Sequence, residues 1–360
     1  MAKKLRYGVI GCGGIAFNKH LPTLQKCKDI ELAAFCDIIT GKAEQADREY
    51  GGHRGKVFAD YRMLLKEDLD AVLVLTPNNS HCEITVAALE SGKHVMCEKP
   101  MALNYKEAKA MIAARDKSGK LLTIAYQSRY RPDSLYLKKE CEKGTLGEIY
   151  YAKATALRRR AVPTWGVFLD QEKQGGGPLI DIGTHALDLT LFMMDNYDPA
   201  YAVGTVYHKL NRDKNTGNAW GDWDIKKFAV EDSAFGFIVM KNGATVLLQS
   251  SWALNITDVR EAVTTLCGTK AVADMPKRGD LEINGVANNR QYILKPDFNI
   301  GGTLFYEGAQ ENESDAEARV FAQAIRGRGK LCVLPEQAAA VTMILEGIYV
   351  SANSGKPYYF

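Results

Sequence analysis

Along the first third of the chain, short apolar runs alternate with polar, helix-like stretches. Residues 5–10, 30–36, 56–58, 71–75, 94–97 and 121–126 read as strands, and residues 41–50, 61–66, 84–91 and 105–117 as helices. Gly92 and Gly119 stop the last two helices. The run Ala71-Val72-Leu73-Val74-Leu75 is apolar without a break, the pattern of a parallel strand covered on both faces. Repeated strand–helix units of this size predict a right-handed doubly wound parallel sheet over residues 1–126. Beyond residue 127 the rhythm changes to alternating runs at 149–156, 233–240, 244–252 and 259–266, which predict a mainly antiparallel sheet. Asn242-Gly243 reads as a two-residue hairpin turn between two of them. Residues 209–227, with Trp220 and Trp223, read as a surface loop, and residues 314–326 and 335–353 as closing helices. The organisation expected is therefore two domains, 1–126 and 127–360, of class α/β plus α+β.

Composition narrows the picture slightly. In 360 residues, 46% are hydrophobic, enough for two cores. Forty-six Lys+Arg against 43 Asp+Glu leave a net charge of +3, so nucleic acid is not an expected partner. Eight cysteines without a C-x-x-C or a regular framework suit reduced thiols in the cytoplasm. No uncharged apolar run reaches spanning length, so neither a membrane nor a targeting segment is expected.

The first turn carries the chemistry. After the opening strand comes Gly11-Cys12-Gly13-Gly14-Ile15-Ala16, a G-x-G-x-x-A pattern that leads into a helix. The first glycine permits the tight turn, the second admits a pyrophosphate, and a small third residue lets helix and strand pack closely. The amide groups and positive dipole end of the helix then face the phosphates. Asp37 closes the next strand about 20 residues on, where a carboxylate accepts from both adenosine ribose hydroxyls. It would repel a 2′-phosphate, and Ile38, Ile39 and Thr40 offer no cation, so NAD is favoured over NADP. Ligands of such sheets bind outside the carboxyl ends of the strands. Candidate cofactor residues are therefore Gly11, Gly13, Gly14, Ile15 and Asp37, then Thr76, Pro77, Asn78 and His81, and Glu98 with Lys99. Topology alone puts Lys99 beside the cofactor, where its cation would favour a developing alkoxide.

A second constellation is Gly175-Gly176-Gly177-Pro178-Leu179-Ile180-Asp181-Ile182-Gly183-Thr184-His185. Asp181 and His185, four apart, share a face on a helix. The histidine can take the proton of a hydroxyl while the carboxylate orients it, and the three glycines would let backbone approach a ligand. The plainer alternative is a surface Asp–His pair without a role. No H-x-x-x-H or cysteine pair supports a metal.

The segments G-C-G-G-I-A, T-P-N-x-x-H, G-K-H-V-M-C-E-K-P and G-G-G-P-L-I-D-I-G-T-H-A-L-D, in this order, resemble the glucose–fructose oxidoreductase/inositol dehydrogenase/MocA family. The likeness extends to V-E-D-S-A-F, N-G-A-T and S-S-W in the second half. It implies a Rossmann domain followed by an α/β domain on a large open sheet, often used for homodimers or homotetramers. It also implies hydride transfer between nicotinamide and a ring hydroxyl of a sugar, glycoside or cyclitol, including glycoside oxidation at C3. By position, Lys99, Asp181 and His185 match the catalytic lysine, aspartate and histidine. Gln127-Ser128-Arg129-Tyr130 stands where the family usually has Asn-Arg-Arg-Phe, which makes Gln127 a cofactor candidate and Arg129 and Tyr130 substrate candidates. Trp165, after Arg158-Arg159-Arg160, is a candidate for stacking on a sugar or on nicotinamide, against an ordinary packing role. Two further readings compete with a dehydrogenase. One is a glycosidase that uses bound NAD transiently for oxidation and elimination; the other is a sugar-sensing regulator, which would have no need of three catalytic positions.

Overall fold

Each apolar run of residues 5–126 is flanked by a helix-forming stretch, and helices on both faces are what a parallel sheet requires. The computed structural model describes residues 3–210, 212, 217–298 and 311–360. Strands β1 (Leu5–Ile10), β2 (Ile30–Cys36), β3 (Lys56–Phe58), β4 (Ala71–Val74), β5 (His94–Cys97) and β6 (Leu122–Ile124) are all parallel. Their order is β3-β2-β1-β4-β5-β6, the doubly wound Rossmann order, which reverses direction between β1 and β4. Every residue of β4 is buried, as its unbroken apolar run predicts.

Among the described residues the chain divides into two compact units, one up to 127 together with 311–339, the other from 128 together with 340–360. A boundary at 126/127 alone misses the return of the helix Glu313–Ile325 to the first unit. That helix buries Ala318, Phe321 and Ala322 in the same core as Tyr7, Val9, Leu73 and Met96. Phe321 meets Tyr7 edge-on, with ring centroids 6.2 Å apart. An apolar stripe goes to whatever apolar face completes it, however far away in sequence. One ring of this size contributes about 1.5–3 kcal/mol when buried.

The second unit is built on nine strands: β7 (Ile149–Leu157), β8 (Pro199–Tyr207), β9 (Ser233–Met240), β10 (Thr245–Ser251), β11 (Arg260–Gly268), β12 (Ala271–Asp274), β13 (Glu282–Ala287), β14 (Arg290–Leu294) and β15 (Tyr358–Tyr359). Their order is β14-β13-β12-β11-β7-β10-β9-β8-β15, and only the β7–β10 pair is parallel. The helix Thr184–Met194 packs on β7 and β11. Gly204 of β8 and Gly236 of β9 lie under Ile348, where any Cβ would stand 2.5 Å from it. On alternate positions of the same strands, Val203 and Phe237 are 40% and 41% exposed and sit opposite each other in register. One face of the sheet is thus packed and the other carries apolar side chains in the open.

The hairpin between β9 and β10 differs from expectation. Met240 N–H donates to Ala244 O at 2.8 Å, so the loop is the three residues Lys241, Asn242 and Gly243. Gly243 alone takes a positive φ, +87°, whereas a two-residue type I′ turn needs one at both central positions. No helix of the described residues is long and apolar enough to cross a membrane.

Candidate active site

The first unit holds one group of candidate residues. Gly11 leaves β1 with φ +93°, and a Cβ there would lie 2.6 Å from Leu75 O, so the chain's own packing demands this glycine. Gly13 and Gly14 obey a different constraint. A Cβ on Gly13 would meet no protein atom within 4 Å, and one on Gly14 only Asn18 Nδ2 at 3.8 Å. The side chains are missing where the protein itself has room for them, which leaves an open cradle fit for a pyrophosphate. Ile15 follows, partly exposed, and a widened helical turn (Ala16–His20) runs into the helix Leu21–Lys26.

Asp37 closes β2 over this turn. Its Oδ2 accepts from Cys12 N–H at 2.9 Å and its Oδ1 from Ile39 N–H at 2.8 Å. Each carboxylate oxygen keeps a lone pair for another donor, as two ribose hydroxyls require. Ile38 and Ile39 beyond it are exposed apolar side chains. Burial, reinforced by the Asp37 charge, pushes both the Cys12 and Cys36 thiols up to about 12, so they stay protonated. These residues fit NAD.

The loops after β4 and β5 are tied to each other. His81 is fully buried, with Nδ1 2.8 Å from Pro100 O and Nε2 2.9 Å from Thr76 O. Its ring bridges the two loops. Thr76 is further fixed by Ser80 Oγ at 2.7 Å; Pro77 is exposed and Asn78 buried. Glu98 also turns inward. Its carboxylate accepts from Lys19 Nζ at 3.0 Å and from the Lys99 amide at 3.1 Å, and lies 2.7 Å from His20 Nε2. The Glu98 carboxylate is thus held inside the first unit by Lys19, His20 and the Lys99 amide. Lys99, half-buried, precedes a cis peptide to Pro100.

The second unit holds the other group. Asp181 lies in a widened turn (Leu179–Gly183) that passes directly into the helix Thr184–Met194, whose second residue is His185. Asp181 is buried, and its Oδ2 accepts from Trp252 Nε1 at 3.0 Å. Trp252 is fully buried after β10, so it fixes the carboxylate from below. Gly176 and Gly177 do not open backbone to a ligand: a Cβ would lie 2.1 Å from Tyr349 Oη at the first and 2.0 Å from Glu231 O at the second. Gly175 ends the short helix Gln171–Gln174 with φ +80°. Glu231 accepts from the Gly177 and Leu179 amides at 2.8 and 3.2 Å, and Tyr349 Oη donates to it at 2.8 Å. The glycine run thus seats the Asp181 turn on a buried carboxylate.

Of the resemblance-based candidates, Gln127 is half-buried at the end of the first unit, and Tyr130 is buried in the second. Arg129 is fully enclosed, with Nε 2.9 Å and Nη2 2.6 Å from the two oxygens of Asp188 and its guanidinium over Phe192. It ties its loop to the His185 helix. Arg158 forks onto Glu261 at 2.6 and 2.5 Å and stacks on Trp220; Arg160 stacks on Trp223. Trp165 is 51% exposed and meets Trp220 and Phe168 edge-on, 5.0 and 5.8 Å between centroids. Sequence reasoning missed Trp252, Glu231 and Tyr349 as supports. Trp252 and Glu231 lie in the S-S-W and V-E-D-S segments it had noted, but nothing local shows which carboxylate or amide they serve. No cluster of three or more His, Cys, Asp or Glu suited to a metal occurs among the described residues.

Residues 5–126 match an oxidoreductase family with an NAD-binding Rossmann fold, and residues 134–274 match the GFO/IDH/MocA C-terminal domain. The chain is 34% identical over 353 residues to the D-glucoside 3-dehydrogenase of Escherichia coli (strain K12), covering 98% of this chain and 96% of that one. It is 28% identical to the myo-inositol 2-dehydrogenase of Thermotoga maritima, covering 69% and 68%. In fold it is similar to levoglucosan dehydrogenase solved with NADH and levoglucosan, with TM-score 0.82, 21% identity and 99% of both chains covered.

Proposed function

Since the chain belongs to the glucose–fructose oxidoreductase/inositol dehydrogenase/MocA family of NAD-binding oxidoreductases, we propose that it is a glycoside 3-dehydrogenase. The observation that carries this reading is the end-to-end likeness to D-glucoside 3-dehydrogenase, which spans 98% of this chain. Bound NAD supplies the hydride acceptor. Oxidation of a ring alcohol also releases a proton from its oxygen, and His185 is the base that receives it. Asp181, pinned by Trp252, orients the imidazole and balances its charge once protonated. The Lys99 ammonium stabilises the developing alkoxide. Trp165, open and backed by Trp220 and Phe168, gives an apolar sugar face or aglycone a surface to stack on.

The working place of such an enzyme is the cytoplasm, in keeping with eight free cysteines. The exposed sheet face around Val203 and Phe237 suits self-association as a homodimer or homotetramer. Light scattering on a Phe237→Asp variant would test this, with a monomer expected.

A panel of glucosides, free sugars and inositols with NAD, followed by NADH absorbance and product identification, tests the function. A 3-keto glycoside formed with stoichiometric NADH is expected. Release of free aglycone without net NADH would instead identify the glycosidase, and binding without turnover the regulator.

A further inference from the structure

The first unit buries a group of charges that hydride transfer does not itself use. Lys19, at the inner side of the widened turn after the glycine cradle, is only 7% exposed. Its Nζ lies 3.0 Å from Glu98 Oε1 and 2.9 Å from Glu317 Oε2. Glu317, 2% exposed, comes from the returning helix Glu313–Ile325. A buried ammonium costs several kcal/mol unless paired, and here two carboxylates hold one cation between them. The second oxygen of Glu98 accepts the Lys99 amide at 3.1 Å. A continuous chain of charge-assisted contacts therefore runs from Glu317 through Lys19 and Glu98 to the backbone of Lys99.

We propose that Glu317 is a positioning residue for Lys99: by sharing Lys19 with Glu98 it sets where the Glu98 carboxylate sits, and so how the Lys99 loop is held. The proposal rests on the reading of Lys99 as the group that meets the reacting oxygen. The two carboxylates are unequal. Burial would raise Glu98, but Lys19, His20 and Lys99 hold it well below its ordinary value, so it stays ionised. Burial raises Glu317 to about 7 against the pull of Lys19, and the Glu98 and Glu313 charges push it the same way. Burial and the Lys19 charge keep His20 neutral. Glu317 also faces a cavity of about 10 Å³ with Tyr7 and His20, and Ser314 on its own helix. Below neutrality Glu317 carries a proton and Lys19 answers to Glu98 alone; above it, Lys19 is held by both, the geometry described here.

Glu317→Gln fixes the low-pH condition, so its effect should grow with pH. At about pH 6 its kcat should equal that of the native enzyme. At about pH 8.5 it should be lower by about 10-fold, the scale of one charge-assisted bond. Glu317→Asp, which keeps the charge, should restore much of the difference. In a Lys99→Ala background, Glu317→Gln should have no further effect on kcat. Melting temperatures of each variant, taken at both pH values, identify any that fail to fold, and Glu317→Asp then carries the comparison. A Gln effect that is equal at both pH values, or that adds to Lys99→Ala, overturns the positioning role while leaving Lys99 in its own. Ordinary turnover in Lys99→Ala itself would overturn the reading of Lys99 instead.

Discussion

The chain has two glycine runs at candidate site segments, and they do opposite things. At Gly13 and Gly14 a side chain would meet almost nothing of the protein, so the glycines keep space for something else. At Gly176 and Gly177 a Cβ would run into Tyr349 and Glu231, so those glycines let the chain close on itself. We propose that the first run serves binding and leaves the fold alone. The second serves the fold, and affects chemistry only through the Asp181 turn that it seats. Glycine content marks close approach in both cases, but only the surroundings say what approaches.

The comparison can be broken in several ways. The largest effect belongs to the helix that the second run seats. His185→Ala should lower kcat by about 10²–10⁴-fold, the usual contribution of a positioned base, with NAD affinity nearly unchanged. A variant that keeps most of its turnover and its pH profile would remove His185 as the base. Next, Gly177→Ala should destabilise the protein by about 1–3 kcal/mol in chemical denaturation, because Glu231 O must move. Gly13→Ala should leave the denaturation midpoint near its native value and weaken NAD binding in titration calorimetry. If both glycine variants lose stability alike, the distinction between the runs is wrong.

Asp37 sharpens the binding side. Asp37→Ser with Ile38→Arg should shift kcat/KM toward NADP by about 10–100-fold, as removal of a like-charge contact allows. Equal kcat/KM for the two cofactors in the native enzyme would contradict the role of Asp37. The smallest effect is expected at Trp252→Phe, which deletes the indole donor to Asp181 but keeps most of the packing. A loss of about 1.5 kcal/mol, close to tenfold, should fall on kcat with KM largely retained.

Much of this arrangement was legible in the sequence because it is local. The strand-turn-helix of residues 5–26, Asp37 at the end of β2, and the loops after β4 and β5 are each defined by a short segment and by the topology that short connections impose. Asp181 and His185 were visible for the same reason. What escaped notice depends on partners far along the chain. His81, Glu98 and Arg129 are the residue types that bind ligands, yet each is turned inward by groups 5 to 79 residues away: Thr76 and Pro100 for the first, Lys19 and His20 for the second, Asp188 for the third. Periodicity also found the helix 314–326 but not its destination, since an amphipathic stripe does not name the core it completes.

The return of that helix has a consequence for synthesis. The Rossmann sheet is finished when residue 124 has been made, but Phe321 and Glu317 have not yet been made. Until the helix Glu313–Ile325 has emerged from the ribosome, Tyr7 lacks its ring partner and Lys19 lies between one carboxylate and water. A nascent first domain would thus show apolar surface to chaperones throughout translation of the second, and closure of its core would be a late, long-range step.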